Sequence, residues 1–457
     1  MARRRDHAPP QVTQGAPPLK IGVVLAALAL ALALGWHSAA AQQAAVEPMA
    51  RWWSAANERE RARAAEQLVS SIPFDALYRS LARGRPYRAD VERGRIVRSY
   101  RTTDGTEHPY YVVVPDGYDP ARSYPVRVYF HGGIGRQRPG TNGEWWTRSE
   151  PLLRDDAISV FPAGWAGSRW WQRRQVENVD GILRAITREY NVDPNRVYLF
   201  GVSDGASGTY FHAIRAPMRW AGFVALIGHP AVLSNPRLQA GGEVFARNLI
   251  NRPMFVANAM DDRLYPVGSV LPFVDLFRRL GADITFRRHT GDHSVSWWPD
   301  ERERIDTFIR LHPRDPLPEH LFWETETTDH FNRFHWIVID ELGDVPGDAT
   351  RARPLDDDPF PHVRPSGWVE AHRRDNTVSV TTYRVRRITI LLSPDAFDLR
   401  APVTVIVNGQ QAFSAVVRPS VATLLAWAGA DDDRAMLFGA ALDVTVGSSG
   451  GIIRVVD

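Results

Sequence analysis

The residue best placed to do chemistry is a serine between two glycines, in Phe200-Gly201-Val202-Ser203-Asp204-Gly205. An apolar, β-branched run, Arg196 to Phe200, precedes it, and a helical pattern over 205–215 follows. The spacing therefore predicts a sharp strand-to-helix turn with Ser203 at its apex. Such a turn strains the serine backbone, requires glycine where a β-carbon would clash, and presents the hydroxyl at a helix N-terminus, where the dipole favours negative charge. The bare Gly-x-Ser-x-Gly pattern also arises by chance. A strand before it and a helix after it are what make it specific here, against the alternative of an ordinary glycine-rich turn.

Composition narrows the chemistry further. The 457 residues include no cysteine and one lysine, Lys20. Thiolate nucleophiles, disulfides and thiolate metal sites are excluded, and a chain without Lys20 would also lack Schiff-base and phosphate-loop lysines. Lys20 lies in a leader: a basic segment, an apolar run over 21–36, then His37-Ser38-Ala39-Ala40-Ala41-Gln42. This reads as a secretory signal over 1–41, with an uncleaved anchor as the alternative. The leader also accounts for the net charge of +3, since the remainder carries 51 basic and 51 acidic residues. A neutral body argues against nucleic acid as a partner. After cleavage no membrane association is expected, and the protein is expected to be periplasmic or extracellular.

The elements that must position Ser203 follow from periodicity. Residues 42–94 read as a mainly helical N-terminal extension. From Arg95 on, strands at 95–101, 109–115, 126–131, 157–161, 196–200, 222–227, 253–259 and 283–289 alternate with helices at 174–190, 205–215, 268–280 and 300–311. That alternation implies an α/β fold with a doubly wound, mostly parallel sheet, antiparallel at its first edge. Pro313 to Pro318 reads as a linker. Over 319–457 the period becomes two, as in Val378/Val380/Thr382, Ile388/Ile390/Leu392 and Val403/Val405/Val407, and Asn408-Gly409 signals a hairpin. A small antiparallel, sandwich-like β domain is expected there.

Residues 95–314 resemble the α/β-hydrolase superfamily. They are most similar to secreted esterases of the feruloyl/acetylxylan esterase and polyhydroxybutyrate depolymerase type. The likeness rests on Tyr129-Phe130-His131-Gly132-Gly133, on Asn191-Val192-Asp193-Pro194-Asn195-Arg196-Val197-Tyr198 and on the serine turn. It implies a base and an acid in the order Ser, acid, His. His293, after the last sheet strand, takes the base position. For the acid, Asp261 comes first after its strand and is favoured; Asp262, four residues before Pro266, is the alternative. Backbone N–H groups of Gly132, Gly133 and Asp204 would form the oxyanion hole, with the His131 ring held locally. The Asp261-Asp262-Arg263 run also looks like the acid motif of prolyl-oligopeptidase-like peptidases. A binding protein on a dead hydrolase scaffold is a third reading, which an intact triad argues against.

Seven tryptophans, Trp145, Trp146, Trp165, Trp170, Trp171, Trp297 and Trp298, fall in connections leaving the carboxyl ends of strands. They are substrate-cleft candidates that could stack on flat or sugar groups, or else pin long loops to the body. Asp356–Asp358 and Asp431–Asp433 read as solvated turn acids in preference to calcium ligands. No metal and no cofactor are expected. The sequence thus points to an exported serine hydrolase acting on small-molecule or polymeric carboxylic esters.

Overall fold

The computed structural model describes residues 47–55, 57–140, 143–145, 153–238, 240–343, 358–447 and 450–456. The leader lies outside them, as do Trp146, Asp356 and Asp357. Two compact units divide at Ala76/Leu77. The first contains helix α1 (47–54) and α2 (Glu58–Ser71), and α3 (Phe74–Arg83) begins in it. Asn57 caps α2: its side chain accepts from the Glu60 N–H at 3.0 Å and donates to the Glu60 carboxylate at 3.0 Å, satisfying a free donor of the first turn.

In the second unit, β1 (Gly94–Arg101), β2 (Glu107–Val114), β3 (Tyr124–Phe130), β4 (Ile158–Pro162), β5 (Val192–Val202), β6 (Gly222–Leu226), β7 (Met254–Ala259) and β8 (Ile284–His289) form one sheet. Its order is β1-β2-β4-β3-β5-β6-β7-β8. β1 and β2 pair antiparallel with their neighbours, and β3 to β8 are parallel. The central strands are buried on both faces and read as continuous apolar runs. Helices α4 (Arg173–Glu189), α5 (Asp204–Arg215), α6 (Val267–Arg279) and α7 (Trp298–Leu311) cross between strands or follow the last one. Every residue of α5 from Gly205 to Arg215 is buried, as expected of a helix covered on all sides.

The remaining strands are β9 (His320–Thr325), β10 (Arg333–Phe334), β11 (Ile337–Leu342), β12 (Gly367–Arg374), β13 (Thr377–Tyr383), β14 (Val385–Leu392), β15 (Pro402–Val407), β16 (Gln410–Val416), β17 (Ala440–Gly447) and β18 (Gly450–Val456). Helix α8 (Val421–Asp431) lies between β16 and β17. Two five-stranded sheets result, β10-β11-β14-β17-β18 and β16-β15-β13-β12-β9. They share one buried cluster that includes Val378, Ile388, Ile390, Val403 and Val405, so the period-two pattern marks the inner faces. Asn408 (φ 50°) and Gly409 (φ 84°) form the hairpin turn between β15 and β16. One feature departs from the antiparallel expectation: β13 and β15 pair parallel. β14 belongs to the other sheet, so the chain crosses over and returns to the first sheet running in the same direction.

Buried polar contacts join this β region to the α/β sheet. Arg215, at the end of α5, meets Glu326 with Nη1 2.9 Å from Oε2 and Nη2 3.0 Å from Oε1, both side chains buried. Asn248 donates to the Glu324 carbonyl at 3.0 Å and accepts from the Glu324 N–H at 3.0 Å. The Asp431–Asp433 run is not solvated. Asp431 binds Arg333, Asp432 binds Arg85 and Arg188, and Asp433 binds Arg314. The run closes α8, where Asp432 takes a left-handed conformation (φ 50°), and this fans the three carboxylates toward different guanidinium groups.

Glu324 on β9 is buried in the same seam and accepts from Ser366 Oγ at 2.6 Å. Burial pushes its carboxyl up to about 7, and Asp358 pushes the same way; the Ser366 hydroxyl, His362 and Arg247 pull it down. The folded chain therefore keeps a proton that the unfolded chain releases near pH ~4.3. That contribution to stability is complete below the unfolded value and is lost as the pH rises through 7. Glu324→Gln should lack this dependence. In urea denaturation it should gain on the wild type by up to about 3 kcal/mol between pH 4.5 and pH 8; parallel pH profiles would contradict the assignment.

Candidate active site

The serine turn forms because two backbones approach too closely for any side chain. A β-carbon on Gly201 would lie 2.1 Å from the Gly205 carbonyl oxygen, and one on Gly205 would lie 2.0 Å from the Phe130 carbonyl oxygen. Between these contacts Ser203 adopts φ 56°, ψ −119°, a region that L-residues occupy only under constraint. Its N–H donates to the Leu226 carbonyl at 3.0 Å, and its own carbonyl accepts from Ala206 and Ser207. Ile227, next along from Leu226, is a β-branched residue at φ 46°. Its N–H donates to the Ala257 carbonyl at 2.7 Å. No sequence signal marks that strained neighbour.

Ser203 Oγ lies 2.8 Å from His293 Nε2, and His293 Nδ1 lies 2.7 Å from Asp262 Oδ2. The carboxylate bonded to the imidazole is Asp262, whereas the sequence favours Asp261. Two-residue alternation would send the adjacent side chains to opposite faces, but the chain already turns at Met260 and Asp261. Met260 N–H and Asp261 N–H continue the ladder to the His289 and Gly291 carbonyls. The Asp261 side chain is exposed, with its carboxylate 3.4 Å from the Gly291 N–H. Asp262 is buried, and its Oδ1 accepts from the N–H groups of Leu264 (2.8 Å) and Tyr265 (2.9 Å). Those two bonds lock the carboxylate with Oδ2 free for the imidazole. The Tyr265 ring stands edge-on to His293, centroids 5.5 Å apart. Burial, then the Asp204 and Asp262 charges, raise its phenol to about 12, so it stays neutral beside the site.

Gly132 lies against the nucleophile: a β-carbon there would come within 2.9 Å of Ser203 Cβ. Gly133 follows in a left-handed conformation, φ 67°. Asp204 Oδ2 accepts from the Ile134 N–H at 3.0 Å, which ties this loop to the start of α5. That role of the Asp204 side chain was missed, since only its N–H entered the sequence reading. His131 sits behind the loop. Its Nε2 accepts from the Gly164 N–H at 3.0 Å, which leaves Nδ1 to donate to the Gly132 carbonyl at 2.9 Å. Burial lowers its pKa, in keeping with a neutral ring.

Trp165, Trp170, Trp171, Trp297 and Trp298 are buried, which accords with pinning loops to the body, the second of the two roles open to them. Trp170 stacks on Phe130 (4.1 Å, 6°) and donates to the His131 carbonyl at 2.9 Å. Trp171 donates to Leu238, and Trp297 stacks on His289. Trp145 is half-buried and donates to the Phe161 carbonyl at 3.2 Å. Indoles are large enough to fill the space beneath long loops and to satisfy a loop carbonyl as well. A cavity of about 220 Å³, lined partly by His212, Trp220 and Phe331, shares no lining residue with the Ser203 site.

The eight-stranded order carries the serine turn after β5, the buried acid after β7 and the histidine after β8. That is the order of elements that the resemblance to α/β-hydrolases implies. No protein-family profile matches it. Over 157 residues, a third of the chain, it is 26% identical to the bifunctional acetylxylan esterase/xylanase XynS20E of Neocallimastix patriciarum. The chain spans 22% of that protein's length. Among solved structures it is similar to a thermostable esterase at 22% identity, covering 48% of this chain and 63% of that one, with a TM-score of 0.39. The apo form of Thermogutta terrifontis esterase 2 gives 17% identity, 49% and 97% coverage and 0.39. Porphyromonas gingivalis dipeptidyl peptidase 4 gives 14%, 48%, 35% and 0.39.

The two adjacent acids separate experimentally. Asp262→Asn keeps the shape but leaves an imidazolium uncompensated and favours the wrong tautomer, a change that can lower kcat by up to about 10⁴-fold. Asp261→Asn alters an exposed carboxylate and should cost under about 1 kcal/mol. Side-by-side rates on a small aryl ester check this; a large loss confined to Asp261→Asn would reverse it.

Proposed function

We propose that this chain is an α/β-hydrolase, an exported serine esterase that cleaves carboxylic esters through an acyl-enzyme. The observation carrying the reading is the hydrogen-bonded series from Ser203 Oγ through His293 to Asp262, at 2.8 and 2.7 Å. His293 Nε2 takes the Ser203 proton as Oγ attacks the ester carbonyl, then returns it to the departing alcohol. Asp262 holds Nδ1 protonated and balances the imidazolium. The N–H groups of Asp204 and of the Gly132–Gly133 loop receive the oxyanion, each donor typically worth about 3 kcal/mol in the transition state. Water, deprotonated by the same imidazole, then releases the acid and frees Ser203.

Asp262, four residues before Pro266, bonds to the histidine. The Asp261-Asp262-Arg263 likeness keeps a serine peptidase as the second reading. The partial match to a protein named acetylxylan esterase/xylanase supports carbohydrate-linked esters as the first substrates to assay, with phenolic and polyester substrates alongside. Export rests on the leader. Among the described residues no helix is long and apolar enough to cross a membrane.

Ser203→Ala should remain folded, lose labelling by a fluorophosphonate probe, and lose at least roughly 10³-fold in kcat. Wild-type turnover in that variant would sink the assignment, and a panel of acetyl, feruloyl, polyester and peptide substrates separates ester from amide cleavage. Mass spectrometry of exported protein should find an N-terminus near Gln42 and amine-reagent labelling at the α-amino group alone. Retention of Lys20 would favour the anchored form.

A further inference from the structure

Two histidines far from Ser203 in sequence form a pair that ester hydrolysis does not use. His320 on β9 and His372 on β12 are register partners across an antiparallel pair. Their rings stack at 4.2 Å between centroids with planes 6° apart. Glu370 precedes His372 by two residues and so shares its face of β12. Glu370 Oε1 lies 3.1 Å from His320 Nε2. The ligand atoms of all three lie within 4.8 Å of one another. Both imidazoles are exposed, and β9 is the edge strand of its sheet.

Two imidazole nitrogens and one carboxylate oxygen suit a borderline divalent ion such as Zn²⁺, whereas Ca²⁺ and Mg²⁺ prefer oxygen donors alone. Bonds of ~2.0–2.2 Å in tetrahedral geometry place ligand atoms about 3.3 Å apart. The Glu370–His320 separation already meets that spacing, and exposed imidazoles can turn to close the rest. Arg247 donates to both Glu370 oxygens, at 3.0 and 2.9 Å. Its bonds fix the orientation of Glu370, as outer partners of metal-ligating carboxylates do. Each carboxylate oxygen has lone pairs enough for both partners. At the sheet edge, water can fill the open coordination positions.

We propose that His320, Glu370 and His372 bind one divalent transition-metal ion of the zinc class. The ion clips edge strand β9 to β12, and β9 is the strand that carries Glu324 into the seam with the α/β sheet. It acts as a brace independent of the ester-cleaving site.

The test uses the full chain stripped with chelator. Equilibrium dialysis should find one Zn²⁺ per chain that His320→Ala and His372→Ala each weaken at least tenfold, and Co²⁺ should give visible d–d bands in the wild type only. Zn²⁺ should raise the wild-type Tm, while Mg²⁺ at the same concentration should not. His372→Phe keeps the ring stack and removes the nitrogen, so it should match the metal-free wild type in Tm and ester hydrolysis yet lose the Zn²⁺ response. Absence of stoichiometric binding in the wild type, or equal binding in all three variants, would overturn the proposal.

Discussion

The molecule is organised around the closeness with which α5 starts against the end of β5. The gap at Gly201 and Gly205 admits no β-carbon, so the chain must reverse within Val202-Ser203-Asp204, and the hydroxyl is forced outward at a positive φ. That conformation is costly by itself, of order 1–3 kcal/mol. It persists because the Ser203 N–H and carbonyl are both bonded and because α5 is buried along its length. A helix free to shift would relax the turn and withdraw the hydroxyl from His293.

The far end of that helix explains why the β region matters to the site. Arg215 closes α5, and its buried guanidinium is matched by Glu326 just beyond β9. A buried charge whose partner is removed is strongly destabilising, by about 3–5 kcal/mol. The helix is thus held at one end by the serine turn and at the other by a carboxylate from the second sheet system. Elsewhere the Asp431–Asp433 run adds further ion pairs, to Arg333, Arg85, Arg188 and Arg314.

On the opposite side of Ser203, rigidity comes from shape and local bonding. His131 bridges Gly132 and Gly164, Trp170 stacks on Phe130, and Asp204 binds the Ile134 N–H. These contacts hold the glycine loop without any charge beyond Asp204, leaving backbone N–H groups near the nucleophile where a developing oxyanion would need them.

Over residues 94–311 the sequence alone determined the strands and helices and their order along the chain. Strand and helix periods depend on local steric preferences and on which face is buried, and both are written in neighbouring residues. The serine turn was legible for the same reason, since its glycines answer a clash within a few residues. So was His293, placed by its position after β8. Tertiary structure decided what depends on residues distant in sequence. The choice between Asp261 and Asp262 rests on the ladder that Met260 and Asp261 make with the chain after β8, which carries the turn one residue further than alternation implies. Five of the candidate tryptophans are buried, because bulk and burial are settled by what packs around a ring, not by its place at a strand end. The acids of 431–433 became ion-pair partners because their arginines come from segments up to about 350 residues away. A charge reveals itself in sequence; its partner is fixed only when the chain has folded and burial has made leaving it alone too costly.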